Sequence, residues 1–461
     1  AFGRCSSLSS VVLPKKLKKI EDSVFEECDS LTQINVPEGV KEIGRWTFAH
    51  CSALKSIALP QSVKKIGEHA FVHCASTSFF IPKKVKEIGK SAFYGCSSLA
   101  SFEVDPQNAN YRSIDGVLFS KDAKILLAYP ANARRQEYKI PTSVERVEDS
   151  AFNYCSQLTS IVIPGTVATV GNGAFSYCKA LESVVVQNGV KKIDSHAFAD
   201  CESLTSVVLS ESVEDVGNNP FPNCDALKTI DVAENNANYL SIDGVLYSKD
   251  GKELLKYPSG KDGERFVVPR GVETIDLFAF FNCKSLKSID VEKDNSYYRS
   301  VDGVLFSKDG KKLLLYPLGR KTEVYVVPEG VEEIANSAFY RSSLKSVVLP
   351  EGVRRIEGGA FRECSALESI VLPKGLTYVG SWAFDACVSL TSITIPESVR
   401  EIDIAAFVRC SSLKTIVLPA SVEEIDETSF GDCGSPTIRA PKNSYAERYA
   451  KKNKFQFEPS G

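Results

Sequence analysis

The sequence predicts an α/β repeat solenoid, in which short parallel strands stack turn upon turn. Phenylalanine recurs every 23 residues in three blocks that begin at Phe2, Phe152 and Phe361, and cysteine keeps the same interval from Cys5 onward. Between these markers one apolar pattern repeats, C-x-x-L-x-x-I-x-L-P-x-x-V-x-x-I-x-x-x-A-F-x-x. Self-similarity at a fixed period of this length is the signature of a solenoid. Because each turn contacts only its neighbours, such a fold sets no limit on chain length.

One turn, CSALKSIALPQSVKKIGEHAFVH at 51–73, shows how the unit is built. Leu54, Ile57 and Leu59 fit a short strand whose alternate side chains face inward. Pro60 then ends the ladder because it has no N–H to donate. The valine and isoleucine of the motif return the chain along the opposite side, and we expect its Ala-Phe pair to close a short helical or 3-10 turn. The prediction is a parallel sheet on the concave side, with short strands or 3-10 turns on the convex side.

Three turns are enlarged. The phenylalanine intervals that begin at Phe93, Phe221 and Phe280 each span 59 residues, which leaves one normal turn and one turn of 36 residues. The enlarged turns share a segment such as YRSVDGVLFSKDGKKLLLYP, in which apolar runs flank S-K-D-G or S-K-D-A. Turn residues between apolar runs predict a β-hairpin. We therefore predict three hairpins that project from the solenoid, near 103–141, 231–269 and 290–328.

Two turns are one residue short. The gaps fall between Ser76 and Thr77, where the strand leucine belongs, and between Arg341 and Ser342, where the cysteine belongs. The sequence also contains no methionine. Two interpretations are open: two real deletions, or two methionines omitted from the written sequence at buried positions. An intact-mass measurement separates them, because a mass equal to that of the written sequence excludes the omission.

The cysteine spacing, the net charge and the apolar runs argue against a disulfide-linked, nucleic-acid-binding or membrane-spanning protein. Of 14 cysteines, all but the last, Cys433, share one repeat column. Column neighbours lie about 5 Å apart with parallel side chains, so we expect small buried thiols rather than disulfides. A net charge of -3 gives no electrostatic case for nucleic acid. No apolar run approaches the roughly 18 residues of a membrane span.

The C-terminal segment departs from the pattern after Cys433. Ser444 fits the N-cap of a helix of roughly eight residues, which Tyr445, Ala446 and Tyr449 would pack onto the last turn. A solenoid needs such a polar-faced cap. The predicted organisation is one solenoid over 1–432 and a cap over 433–461. Since the chain opens inside a repeat, we expect the native protein to continue upstream, with its signal or anchor there.

The repeating unit L-x-x-I-x-L-P-x-x-V-x-x-I-x-x-x-A-F-x-x-C resembles the BspA-like leucine-rich repeats, also called the Treponema-type class. The segment S-I-D-G-V-L-F-S-K-D-G and the ending SYAERYAKKNKFQF are similar to elements of the same family, so the match covers residues 1–458. The resemblance implies a curved, right-handed leucine-rich-repeat solenoid. It also implies a bacterial secreted or surface-attached protein of host-associated microbes, some of which bind extracellular-matrix proteins or other cells.

The concave sheet is the expected binding surface, because solenoids bind along it. One outward column is mostly hydroxyl and the other mostly β-branched. An exposed valine stripe fits protein contact, although valine also simply suits a strand ladder. Phe80 and Glu103 break the pattern and are the sharper individual candidates. The candidate ligand-binding residues of the column are Phe80, Glu103, Val162, Val185, Val208, Asp231, Asp290, Val348, Val371 and Thr394.

The enlarged turns supply the other candidates. Their tyrosines form aromatic platforms for sugar or protein in one interpretation, and pack the hairpin onto the solenoid in the other. The first tyrosines of the three segments, taken as candidate ligand-binding residues, are Tyr111, Tyr239 and Tyr298; the last are Tyr129, Tyr257 and Tyr316.

Catalytic and metal-binding patterns are missing from the sequence. It contains no nucleophile elbow, P-loop or dinucleotide fingerprint, and two of its four histidines, His69 and His196, occupy equivalent repeat positions. No cofactor or metal is expected. We expect a monomeric, non-enzymatic adhesion solenoid at the bacterial surface or outside the cell, with an extracellular or host protein as partner, or a glycan. The alternatives are a structural spacer and a carbohydrate-binding module.

Overall fold

The computed structural model describes residues 2–460. They form two compact units. The first unit ends at Lys261 and also includes Phe278–Phe281, and the second comprises Asp262–Leu277 and the chain from Asn282 onward. Each unit is a stack of short strands. The prediction of one solenoid over 1–432 stays a prediction, because each unit is described by itself.

The first unit contains 22 strands. In chain order they are β1 (Ser10–Val12), β2 (Lys19–Ile20), β3 (Gln33–Asn35), β4 (Glu42–Ile43), β5 (Lys65–Ile66), β6 (Ser78–Ile81), β7 (Glu87–Ile88), β8 (Ser101–Val104), β9 (Tyr111–Ile114), β10 (Val117–Ser120), β11 (Ile125–Ala128), β12 (Glu137–Lys139), β13 (Arg146–Val147), β14 (Ser160–Ile163), β15 (Thr169–Val170), β16 (Ser183–Val186), β17 (Lys192–Ile193), β18 (Ser206–Leu209), β19 (Thr229–Val232), β20 (Tyr239–Ile242), β21 (Val245–Ser248) and β22 (Glu253–Lys256).

The second unit continues the same alternation of longer and shorter strands. Its elements are β23 (Arg265–Val268), β24 (Thr274–Ile275), β25 (Ser288–Val291), β26 (Tyr298–Val301), β27 (Val304–Ser307), β28 (Lys312–Leu315), β29 (Val324–Val326), β30 (Glu333–Ile334), β31 (Ser346–Val348), β32 (Arg355–Ile356), β33 (Ser369–Val371), β34 (Tyr378–Val379), β35 (Ser392–Thr394), β36 (Glu401–Ile402), β37 (Thr415–Val417), β38 (Glu424–Ile425), β39 (Thr437–Ala440), the helix α1 (Tyr445–Lys452) and β40 (Phe457–Pro459).

Two kinds of parallel sheet run along each unit. The front sheet, as we call it, consists of strands of three or four residues, such as the five-strand stack β12-β14-β16-β18-β19. The back sheet consists of two-residue strands, such as β13, β15 and β17. In β14, Ile161 and Ile163 are buried while Val162 between them is exposed, which is the alternation of a half-buried strand. The front sheet is the one that the sequence assigned to the concave side.

The expected helical or 3-10 turn at Ala70-Phe71 is wrong. These residues lie in a run of β-turns, and within residues 2–460 the one helix is α1. Bonds to the next turn replace bonds along a helix: the Phe71 N–H donates to the Ala92 carbonyl at 2.9 Å. The fold is therefore a β-solenoid with very little helix rather than an even mixture of strand and helix.

Stacked phenylalanine rings form the centre of the core. The rings of Phe25, Phe48 and Phe71 lie 5.5–5.7 Å apart, centroid to centroid, and nearly parallel. Each enlarged turn adds a tyrosine to this stack. Tyr129 stacks on Phe152 with a centroid distance of 4.9 Å, and Tyr257 and Tyr316 stack in the same way on the next phenylalanine. The last tyrosine of each enlarged turn is therefore a buried core residue.

The loops around most of the repeat phenylalanines hold two residues in the left-handed backbone region. They lie two positions before and two positions after the ring: around Phe48, Trp46 has φ 55° and His50 has φ 60°. In the next turn His69 and His73 have φ 56° and 54°. Residues other than glycine rarely adopt this backbone conformation. The hydrogen bonds between neighbouring loops hold it: the His50 N–H donates to the Val72 carbonyl at 2.7 Å.

The enlarged turns contain more antiparallel structure than the sequence predicts. In the first, β9 and β10 pair through a tight turn at Asp115 and Gly116, whose φ angles are 51° and 80°. Two successive positive φ angles are typical of a type I′ hairpin turn. The S-K-D-A segment then joins β10 to β11, and β11 pairs in parallel with β13 of the back sheet. Val117, Leu118 and Phe119 of the middle strand are fully buried. The segment therefore packs into the core, and the expectation that it projects is wrong.

Each enlarged turn also carries a front strand. These strands, β12, β23 and β29, pair in parallel with β14, β25 and β31. They add three exposed residues to the outward column beyond those predicted from the sequence, namely Lys139, Val267 and Val326. The outward column of each front sheet is therefore more continuous than expected.

The cysteine column is made of free thiols, as predicted. Most of the thiols bond to the phenylalanine carbonyl of the preceding turn: the Cys51 Sγ donates to the Phe25 carbonyl at 3.1 Å. Ser342 fills the cysteine position of one short turn, where its hydroxyl lies 3.3 Å from the Cys364 Sγ. Ser76 is fully buried in the other short turn. Both short turns thus place a buried hydroxyl in an apolar column.

The C-terminal helix follows the prediction. Ser444 is the N-cap of α1, and its hydroxyl accepts a hydrogen bond from the Glu447 N–H at 3.2 Å. Ala446 and Tyr449 are buried against the last turn. β40 then pairs in parallel with β39. The helix and this strand cover the end of the core. The helix is too short to cross a membrane, and no helix within residues 2–460 is long and apolar enough to do so.

Candidate functional site

Three adjacent strands of the first unit expose a row of valines on the front sheet. Val162, Val185 and Val208 are register partners on β14, β16 and β18, and 40–45% of each residue is exposed. Register partners in neighbouring strands lie about 5 Å apart. The row continues to exposed Lys139 on one side and exposed Asp231 on the other. We call Val162, Val185 and Val208 the first valine row.

A second row lies on the front sheet of the second unit. Val326, Val348 and Val371 are register partners on β29, β31 and β33, with exposed fractions of 63%, 47% and 79%. We call them the second valine row. Val326 was not among the predicted column residues, because it lies in the last part of an enlarged turn. The signal was present, since V-Y-V-V-P-E-G-V has the apolar alternation, proline and valine of the ordinary unit.

The remaining candidates of the column differ in their exposure and in their hydrogen bonds within the chain. Phe80 is 40% exposed and lies beside the exposed Glu103 as its register partner. Thr394 is exposed on β35. Asp290 is a weaker candidate, because it is partly buried and its carboxylate accepts hydrogen bonds from Arg265 and Ser288. Burial raises the pKa of Asp290, but these hydrogen bonds outweigh it and the pKa is lowered overall.

Shallow depressions open beside the column. One of about 320 Å³ lies next to the first valine row and is lined by Lys139, Ser160, Val162 and Pro164, among others. Another, near the beginning of the chain, includes exposed Val12 in its lining. The prolines that end the front strands shape these edges, because they stop the ladder and turn the chain away.

The tyrosine platforms expected on the enlarged turns are not supported by the positions of the rings. Tyr111 is buried, and its hydroxyl accepts a hydrogen bond from the Ile88 N–H at 3.0 Å. The Tyr239 hydroxyl accepts in the same way from the Val216 N–H at 3.1 Å. The Tyr298 hydroxyl donates to the Glu273 carbonyl at 3.2 Å. The hydroxyl groups are thus bonded to backbone of the back sheet. Packing onto the solenoid is the interpretation that the geometry favours.

No cluster of three or more histidine, cysteine or acidic side chains suited to a metal ion occurs within residues 2–460. The buried cysteine thiols with raised pKa values are poor ligands and nucleophiles. Burial raises the pKa of Cys51, Cys96 and Cys364 to about 12, and a thiol must lose its proton before it reacts or binds metal.

Comparison with family profiles shows to which protein family the chain belongs. A profile of the BspA-type leucine-rich repeat region, in six copies, matches residues 1–124, 130–242, 259–308 and 332–456. The chain belongs to the BspA-type leucine-rich-repeat family. Among curated proteins, none matches the sequence. A BspA-type chain is a repeat scaffold, and the sequence-based assignment to this family is confirmed.

Solved structures with the same repeat resemble this BspA-type chain at low identity. The pneumococcal vaccine antigen PcpA is 21% identical, with 84% of this chain and 89% of that one covered and a TM-score of 0.45. A leucine-rich cell surface protein from Faecalibacterium prausnitzii A2-165 is 26% identical, with 98% and 92% covered and a TM-score of 0.37. A leucine-rich repeat protein from Bacteroides ovatus ATCC 8483 is 24% identical, with 100% and 86% covered and a TM-score of 0.28.

Proposed function

We propose that this chain is a non-enzymatic protein-binding module whose partner docks on the front sheet. The observation that carries the proposal is the first valine row, in which three exposed valines lie side by side between Lys139 and Asp231. Contiguous exposed apolar surface usually marks a contact. A rigid parallel ladder presents that surface without an ordering cost on binding.

We further propose that the module acts at the bacterial cell surface or outside the cell, as an adhesin for an extracellular or host protein. Membership of the BspA-type family supports this setting. The candidate contact residues are the two valine rows together with Phe80, Glu103 and Asp231. Asp290 and the tyrosines Tyr111, Tyr239 and Tyr298 are secondary candidates, since their polar groups already have partners within the chain.

Replacing the first valine row by threonine tests the docking surface. Threonine keeps the branched shape and strand preference of valine, and Thr394 already occupies this column. We expect the triple variant Val162→Thr, Val185→Thr, Val208→Thr to weaken retention of immobilised extracellular-matrix proteins at least about tenfold, which corresponds to about 1.4 kcal/mol. The measurement is surface plasmon resonance at micromolar protein over fibronectin, laminin and collagen.

The same triple replacement in the second valine row, Val326→Thr, Val348→Thr, Val371→Thr, tests the other half of the proposed contact surface. Both variants should keep the wild-type circular dichroism and melting temperature, because the side chains are exposed. If neither triple changes retention, or if the wild-type chain retains none of the proteins, the docking proposal fails. A structural spacer role is then the better interpretation.

A further inference from the structure

The first enlarged turn interrupts the row of loops on the back of the first unit. In ordinary turns the loops around the phenylalanines bond to each other through backbone, as when the His73 N–H donates to the Tyr94 carbonyl at 2.9 Å. The enlarged turn lacks such a loop, since Tyr129 follows β11 and Pro130 comes next. The loops at 89–95 and 148–153 therefore face each other across Ala128 and Tyr129.

Side chains bridge this gap in place of backbone. The Ser91 and Ser150 hydroxyls lie 3.1 Å apart, and the Gly95 N–H donates to the Asn153 Oδ1 at 2.6 Å. Beneath the bridge lies a cavity of about 330 Å³. Its apolar lining comes from Phe93, Leu99, Phe102, Leu118, Leu127, Ala128 and Ala131. Pockets that bind small molecules begin at about this volume.

Four charged residues also line the cavity, as two ion pairs. The Lys90 Nζ lies 3.2 Å from the Asp149 Oδ2, and the Arg146 Nε lies 3.1 Å from the Glu148 Oε1. The carboxylates are the less exposed partners: the side chains of Asp149 and Glu148 are 19% and 21% exposed, against 67% and 46% for Lys90 and Arg146. A cation that enters the cavity would meet the half-buried carboxylates, whereas Lys90 and Arg146 are more exposed to solvent.

In the second enlarged turn, a lysine side chain stands at the position that corresponds to Ala128. This residue, Lys256, is buried. Its ammonium donates to the Phe278 carbonyl at 3.1 Å, and Phe278 stands at the position of Ser150. The third enlarged turn has Leu315 at the same place. The first turn keeps only a methyl group there, which leaves the space open.

Tyr129 also lines the cavity, and its hydroxyl is buried without a hydrogen-bond partner within residues 2–460. Buried hydroxyls normally have a partner, because an unpaired one costs free energy.

We propose that the cavity beside Ala128 binds a small primary amine with a compact apolar body. The ammonium takes the place that corresponds to the Lys256 ammonium of the second enlarged turn, at the Ser150 carbonyl, and the Asp149 and Glu148 carboxylates line the same cavity. The apolar body lies among Phe93, Phe102 and the neighbouring leucines. A cavity of about 150 Å³ accepts benzene, so about 330 Å³ accommodates one ring with a short amine-bearing chain. This site is on the back of the solenoid and is independent of docking on the front sheet.

Binding of 2-phenylethylamine to the full chain tests the proposal, with 2-phenylethanol as the uncharged probe and 3-phenylpropionate as the anionic probe. Isothermal titration calorimetry at neutral pH and low salt is expected to show saturable binding of the amine. We expect the alcohol to bind about tenfold more weakly or worse, and the acid not to bind. The replacement Asp149→Asn should reduce the affinity for the amine while leaving that for the alcohol unchanged.

Filling the cavity supplies the structural arm of the test. Ala128→Leu copies the third enlarged turn and Ala128→Lys copies the second, so both should abolish binding of the amine. Ala58→Leu, on the exposed front sheet, is the matched control and should bind as the wild type does. The proposal is overturned if the amine does not bind, if the alcohol binds as tightly, or if Ala128→Leu and Ala128→Lys still bind. Should the filled variants fail to fold, the response of Asp149→Asn decides.

Discussion

Replacing Phe175 by alanine is expected to lower the free energy of unfolding by about 3–5 kcal/mol. The ring is fully buried and stacks between Phe152 and Phe198, with centroid distances of 4.7 Å and 5.2 Å. Alanine would leave a cavity that two flanking turns share, since each turn depends on its neighbours for burial. Urea denaturation followed by circular dichroism, on wild type and variant in parallel, measures the change.

Phe2→Ala is the matched control, because it removes the same ring from a partly exposed position in the stack. Phe2 has one stacking partner, Phe25 at 5.6 Å, and is 40% exposed. We expect its removal to cost less than about 1.5 kcal/mol, because part of the ring is in water already. Equal losses for the two variants would show that the stacked column does not determine stability as we describe.

Thiol reactivity should distinguish the interior of the cysteine column from its ends by a large factor. Within the folded chain Cys5 is exposed and Cys433 is half-buried, while the other 12 cysteines are buried. Burial raises the pKa of Cys51 and Cys96 from 9.0 to about 12. A thiol with the higher pKa stays protonated through neutral and mildly alkaline pH, so its thiolate fraction at pH 8 falls by about a thousandfold.

The measurement is reaction with Ellman's reagent at pH 8, before and after unfolding in guanidinium. We expect no more than two fast equivalents in the folded chain and all 14 cysteines after unfolding. Cys5→Ser should remove one fast equivalent, whereas Cys51→Ser should leave the fast phase unchanged. Several interior thiols reacting at the rate of Cys5 would contradict a closed column.

The periodic part of the fold could be predicted from the sequence because one physical constraint repeats. Each turn must place Leu, Ile and Val at the same points, as residues 51–73 do, so position in the repeat gives position in space. The cysteine column and the helix after Ser444 follow from the same kind of local rule. The valine rows follow because alternation along a strand decides which side faces out.

The enlarged turns could not be predicted in the same way. The S-K-D-A turn was recognised, but the Asp115-Gly116 turn that adds a third strand was not. The burial of Val117 and Phe119 depends on neighbouring turns rather than on the segment itself. Tyr129 replaces phenylalanine in the ring stack without the cysteine that marks other turns, so its core role was hidden. The candidate cavity depends on the small side chain of Ala128, where the other enlarged turns have lysine or leucine, and no sequence motif indicates it.

The paired left-handed positions around most of the repeat phenylalanines have a consequence for protein engineering. Trp46, His50, His69, His73 and Tyr154 all adopt this backbone conformation, so the neighbouring loops, rather than the residue type, set the geometry. Side chains of very different chemistry are thereby accepted at fixed intervals along one surface. A library that varies these positions and leaves the core columns intact would turn the solenoid into a display scaffold, with its recognition surface chosen by the designer.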